Sequence, residues 1–248
     1  MEADEYDRLA DAADHHWWYA ATRQLLADLV RPRLPAVRHD SLYLDAAGGV
    51  GGTARWLTTL GTTVLADIEP TALASVGPGV IPELADIGAL PHPDATFDAV
   101  ICVTALYHQL VPDPGAVVTE FARVTRPGGV VCLMEPGVRR MFRAHDRATH
   151  GARRFSRSDL RRLAENAGLQ VQRATGAYSF LIPPAAISAV LERGKSTSDV
   201  SRNQSGLGGV LGRIASVERR LLARINLPVG LSVITIARRP MSCDNSVS

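Results

Sequence analysis

Lysine is almost missing from this chain: of 27 basic residues only Lys195 is lysine, and nowhere do basic residues gather into a long run. With 25 acidic residues beside them the formal net charge is +2, so the chain lacks the basic arm or stripe that neutralises phosphates, and nucleic acid is not the expected partner. Cysteine is scarce as well. Cys102, Cys132 and Cys243 lie far apart, the first two in apolar stretches, which suggests neither a disulfide framework nor a zinc site. No apolar stretch reaches the roughly 20 residues that a spanning helix needs. The acidic first seven residues are followed by no apolar leader core, so the expectation is a cytoplasmic protein with no integral membrane segment. Acidic residues form no constellation of the kind that holds a catalytic magnesium, and no metal is expected.

What is present is enough apolar material, 46% of 248 residues, to bury one sizeable core. From Leu42 the chain alternates short apolar runs (LYLDA, TTVLAD, GVIPELAD, FDAVICV, GGVVCLM) with longer amphipathic ones, the pattern of a parallel sheet with helices on both faces. Before it, Leu9, Trp17, Ala21, Leu25, Leu26 and Leu29 recur at near-helical spacing until Pro32 and Pro35 interrupt them. Residues 1–38 are therefore expected to form an amino-terminal helical cap and residues 39–240 one α/β domain, with 241–248 a disordered tail. Ser156 and Asp159 make a capping-box pattern at the start of a helix that Gly168 stops, and LQVQRATGAYSFLI then predicts a sixth strand. Residues 185–228 read as a helical insertion ahead of a last strand, GLSVITIARR. Its polar middle, GKSTSDVSRNQSGLGG, precedes a helix with Leu211, Ile214, Val217, Leu221 and Ile225 on one face. Core packing is the first expectation for that face. Arg213, Arg219, Arg220 and Arg224 beside it also allow a dimer face or a membrane-surface contact.

The segment LDAAGGVGGT joins the strand ending near Asp45 to a helix expected near Gly52, and its glycines let the backbone approach a ligand closely. Read as Gly49-x-Gly51-x-x-Ala54 with Asp67 further on, it also satisfies a loose dinucleotide fingerprint, which keeps an NAD-dependent oxidoreductase as a rival.

The company the loop keeps is more specific. LDAAGGVG, VLADIEPTAL, ELADIGALPHPDATFDAVICVTALYHQL and RVTRPGGVVCLMEPG occur in the order of the motifs of the class I S-adenosylmethionine (SAM) dependent methyltransferases of the type 11 kind, which the chain resembles over roughly residues 40–180 and the last strand. HWWYAATR is similar to amino-terminal helices of some bacterial members. The resemblance implies a Rossmann-like seven-stranded sheet, order 3-2-1-4-5-7-6 with strand 7 antiparallel. It implies SAM as cofactor, held by Asp45, Ala47, Gly49, Gly51, Asp67, Ile68, Asp86, Ile87 and Thr104. Asp45 would orient the loop and the methionine amine, Asp67 the ribose hydroxyls, and Asp86 with the Ile87 amide the adenine. Ala47 departs from the usual loop glycine and fits best if its φ is negative.

Methyl transfer needs alignment more than a universal catalytic group, and a base only where the acceptor must lose a proton. His108 is the candidate base. Trp18, Tyr19 and Tyr107 are candidates for a substrate wall or lid, and His15, His16 and Trp17 would join Trp18 and Tyr19 in an aromatic lid over the cofactor, against the plainer reading that Trp17 and its neighbours anchor the helix to the core; His145 and His150 are expected to be solvated. The expected function is methyl transfer from SAM to O, N or C of a small apolar metabolite, in secondary metabolism for example, with the 185–228 insertion as acceptor-binding or dimer element and a second copy of the chain as a candidate partner. A SAM-binding fold that does not methylate is the rival outside catalysis.

Overall fold

Short apolar runs bury both faces when they enter a parallel sheet covered by helices, and four of the five parallel strands do so here, the edge strand from Val80 to Leu84 staying largely exposed. The computed structural model describes residues 13–52, 55–139, 141, 146, 150–191 and 208–241. Helix α1 (Trp17–Val30) precedes β1 (Leu42–Ala46). Then come β2 (Thr62–Asp67), the short α2 (Pro70–Ala74), the edge strand β3 (Val80–Leu84) and β4 (Phe97–Val103). Helix α3 (Pro114–Val124) runs into β5 (Thr125–Pro136), and α4 (Arg157–Asn166) into β6 (Gln170–Ala177). Helices α5 (Ile182–Leu191) and α6 (Gly208–Leu222) lie before β7 (Ser232–Arg238).

The sheet order is β3-β2-β1-β4-β5-β7-β6, as the resemblance implied. β1 to β5 pair in parallel, and β7 enters antiparallel to both β5 and β6. Alternation along each strand splits the core in two. Leu44, Val100 and Cys102 face Val118 and Phe121 of α3 and Leu160 of α4. Tyr43, Ala99 and Ile101 face Leu25, Leu26 and Leu29 of α1. At the amino end of the sheet, buried Asp98 of the FDAV run accepts from Leu42 N at 2.9 Å, Arg126 at 2.9 Å and Arg38 at 3.1 Å, so it is a sheet fastener far from the carboxyl ends of the strands.

The Ser156–Asp159 capping box and the Gly168 stop form as expected, Gly168 having φ 78°. Three expectations need correction. The sixth strand stops at Ala177 instead of running to Ile182: Tyr178 takes φ 56°, and its N–H and that of Ser179 both donate to Glu218 of α6 at 2.7 Å, which starts a 3-10 turn leading into α5. No α-helix follows the glycine loop among the described residues; Arg55–Thr59 is a 3-10 turn. The apolar face of α6 is not core, because Ala215 and Leu222 are its buried positions, while Ile214, Val217 and Leu221, with Ile225 beyond the helix, are exposed.

Candidate functional site

In an open parallel sheet, loops from the carboxyl ends of the strands meet where the strand order reverses, here between β1 and β4. Asp45 lies one residue before the end of β1. It is buried, and neither carboxylate oxygen has a hydrogen-bond partner. Burial, and then the charge of Asp67, push its pKa up to about 7. The carboxylate lies directly beneath Gly48, where a Cβ would stand 2.6 Å from Asp45 Cγ, so glycine is required at 48 by close approach. Ala47 has φ 54°, the left-handed region, so the expected negative angle is not what this alanine adopts. Its N–H donates to Ala66 O at 2.8 Å, tying the loop to β2.

Asp67 ends β2 beside this loop. Its Oδ2 accepts from Gly49 N at 2.9 Å and its Oδ1 from Glu69 N at 3.0 Å. Each oxygen keeps acceptor capacity for one further donor. Ile68 follows, half exposed, and Gly51 continues the loop with φ 76°. Beyond β3, Ala85 N donates to Asp67 O at 3.0 Å, which brings Asp86 and Ile87 alongside. Asp86 is exposed and caps Gly88 N at 2.7 Å, whereas the Ile87 side chain is buried in the core. Ala54 of the loose dinucleotide pattern lies outside the described residues.

The loop after β4 forms the other wall. Thr104 has φ 52° and donates to Met134 O at 2.7 Å. The following three N–H groups converge on Glu135 at the end of β5: Ala105 and Leu106 donate to Oε1 at 3.1 and 2.8 Å, and Tyr107 donates to Oε2 at 3.2 Å. Glu135 is fully buried, and burial raises its pKa to about 8 although these three N–H groups favour the charged form. The polar connection after β5 folds back onto the same loop, with Ala152 N donating to Tyr107 O at 2.8 Å and Gln109 N to His150 O at 2.9 Å. His108 Nδ1 accepts from Leu110 N at 3.1 Å, so the neutral ring carries its proton on Nε2. Burial, and then His150, hold its pKa below the usual value. The nitrogen with a lone pair is thus engaged, which disfavours His108 as a base and leaves it a donor.

Tyr19 of α1 packs against Val50 and the end of the glycine loop. A Cβ at Gly52 would lie 2.8 Å from its ring. Burial, and then the nearby Tyr107, raise its phenol's pKa. Trp18 packs edge to face on Tyr19, with ring centroids 5.0 Å apart, and reaches Tyr178 at 6.5 Å on the α1 side of the core. His16 caps α1 through Trp18 N at 3.2 Å. His15 and His150 are exposed, and His145 lies outside the described residues.

Arg23 and Glu135 are site-building residues that motif reading did not single out. Arg23 donates to Ala13 O and Gly52 O, both at 2.7 Å, and so sews the amino-terminal segment to the glycine loop. An arginine on an amphipathic helix and a glutamate ending a strand carry no local signal of this, because their partners are backbone groups distant in sequence. Two open depressions, of about 420 and 380 Å³, lie away from this strand end, the first bordered by Thr119, Arg123 and Arg239, the second by Arg157, Arg161 and Arg173.

A family model described as a methyltransferase domain matches residues 44–133. The 27-O-demethylrifamycin SV methyltransferase of Amycolatopsis mediterranei is 32% identical over 155 residues, 52% of this chain and 55% of that protein. The ubiquinone biosynthesis O-methyltransferase of Thiobacillus denitrificans is 28% identical over 207 residues, 71% of this chain and 87% of that protein. The chain thus spans about half the length of the first of these relatives. Among solved structures, the putative methyltransferase in complex with the Trm112 activator of Haloferax volcanii superposes with a TM-score of 0.61 at 21% identity, covering 97% of this chain and 98% of that one, a likeness of fold.

Proposed function

Because the chain carries the methyltransferase domain of the class I SAM-dependent family, whose cofactor is SAM, we propose that it transfers the SAM methyl group to O, N or C of a small apolar metabolite. The observation that carries this reading is the buried Asp45 carboxylate, with both oxygens unsatisfied, beneath a glycine loop and next to Asp67. A buried carboxylate without donors is costly, and the ammonium group of the methionine moiety is a donor of the right charge. SAM supplies a methyl group already activated on a sulfonium.

The chain's residues would do the rest. Asp45 would neutralise and orient the ammonium; Asp67, with its remaining acceptor capacity, would receive the ribose hydroxyls; Ile68 would cover the adenine while Asp86 and the Ile87 amide meet its polar edge. The Thr104–His108 loop, held by Glu135, would face the acceptor, with Tyr107 and Tyr19 excluding water and His108 offering Nε2–H as a donor. Holding acceptor and methyl in line would supply most of the acceleration. We further infer a cytoplasmic setting, to which the buried free thiols Cys102 and Cys132 are suited. No helix among the described residues is long and apolar enough to cross a membrane.

Calorimetric titration with SAM, S-adenosylhomocysteine and NADH tests the cofactor assignment. SAM and S-adenosylhomocysteine are expected to bind, and Asp67→Ala to weaken them about ten- to a hundredfold through lost hydrogen bonds to a charged group. Binding of NADH alone would overturn it. A panel of apolar phenols, amines and enolisable ketones, read by S-adenosylhomocysteine release, then tests transfer. Cofactor binding with no release across the panel points to the non-methylating rival.

A further inference from the structure

Helix α6 contributes only Ala215 and Leu222 to the buried core, yet it carries a continuous apolar stripe on another face. Val210, Ile214, Val217 and Leu221 are all exposed, Val217 by 63%, and Ile225 extends the row where Arg224 N and Ile225 N still bond to Leu221 O. At about 100° per residue these five side chains occupy roughly 80° of the helix circumference. Arg213, Arg220 and Arg224, also exposed, fall together along one border of that stripe. Glu218, the one carboxylate of α6, is turned inward to receive the Tyr178 and Ser179 N–H groups, and Arg219 is drawn to the opposite side by Asp28 of α1. The exposed surface of the helix is therefore apolar and cationic with no acid on it.

Further arginines lie past the end of the stripe. Asn226, next to Ile225, borders the 380 Å³ depression together with Arg157, Arg161 and Arg173; Arg161 is paired with Glu165, and Arg173 donates to the Leu222 and Ile225 carbonyls that end α6. A contact of this face with its own copy about a twofold axis would bring like charges close. An anionic lipid surface takes the stripe and the arginines at once, the apolar side chains entering the acyl boundary and the guanidinium groups meeting phosphates.

We propose that α6 and the Arg224–Asn226 turn form a docking surface for an anionic phospholipid bilayer, with the helix lying in the plane of the interface. Lipid docking of this kind does not depend on the methyl-transfer reading.

Flotation of the full chain with vesicles of phosphatidylcholine alone, and of phosphatidylcholine mixed with phosphatidylglycerol, tests it. Binding is expected only to the mixed vesicles, falling as salt rises and weakening about fivefold for each of Arg213, Arg220 and Arg224 changed to alanine. Val217→Glu with Leu221→Glu should abolish it while an unchanged thermal melt shows the fold intact. Equal binding to both vesicles, binding that survives the double variant, or no binding would overturn the proposal. So would a wild-type dimer in sedimentation velocity that the double variant dissolves, since a second copy would then cover the stripe.

Discussion

Ala47 holds a left-handed backbone angle that disfavours an L-residue by about 1–2 kcal/mol. Ala47→Gly removes that strain and adds back some unfolded-chain entropy, so a net stabilisation of about 0.5–1 kcal/mol is expected. For a chain of this size the melting temperature should rise by roughly 1–4 °C. A melting scan that shows no rise would mean the alanine is relaxed at this angle. The neighbouring residue could not exchange roles with it: any side chain at Gly48 would meet the Asp45 carboxylate. The motif showed that small residues were needed here, but not which one stands over the acid, because that contact is set by the depth of Asp45 under the loop.

The loop after β4 owes its shape to an element remote in sequence, for three successive N–H groups of residues 105–107 end on one glutamate of β5. Glu135→Ala leaves those donors without their acceptor and should cost about 3 kcal/mol or more, a fall of roughly 6–12 °C in melting temperature. Glu135→Gln keeps the carbonyl acceptor for Ala105 and Leu106 and loses the one serving Tyr107. The glutamine variant should therefore fold and bind SAM normally while raising KM for the acceptor, and SAM affinity by calorimetry beside acceptor KM would separate this positioning role from a merely structural one. The β-strands were legible in the sequence because apolar alternation is local. Glu135 and Arg23 were not, since their meaning lies in backbone partners on other elements. The end of β6 and the exposed face of α6 were misread for the same reason: Glu218 of α6 turns the chain at Tyr178, and helical periodicity reports an apolar face without saying which side meets the core.

Across the whole molecule, two buried carboxyls at the carboxyl ends of β1 and β5 have raised pKa values, Asp45 about 7 and Glu135 about 8, against ordinary values of 3.8 and 4.5. The folded state thus binds more protons than the unfolded state between those limits. Their stabilising contribution is complete below the ordinary values and is lost as pH rises through the folded ones. His108, shifted downward, acts in the opposite direction only below about 6.5. Melting temperature should therefore fall as pH rises from about 6.5 to 8, a trend that Asp45→Asn with Glu135→Gln flattens; a rising trend in the wild type would show that these groups are ionised in the fold. By itself the sequence determined the strand runs, the glycine loop, the acid ending β2 and, through the order of its motifs, the family fold, because each is written in neighbouring residues. The tertiary structure alone decided that Asp45 is buried without a partner, that Glu135 and Arg23 shape the site, that His108 offers a donor, and that α6 keeps its apolar stripe outside the core. Burial and hydrogen-bond partnership depend on which distant elements the fold brings together.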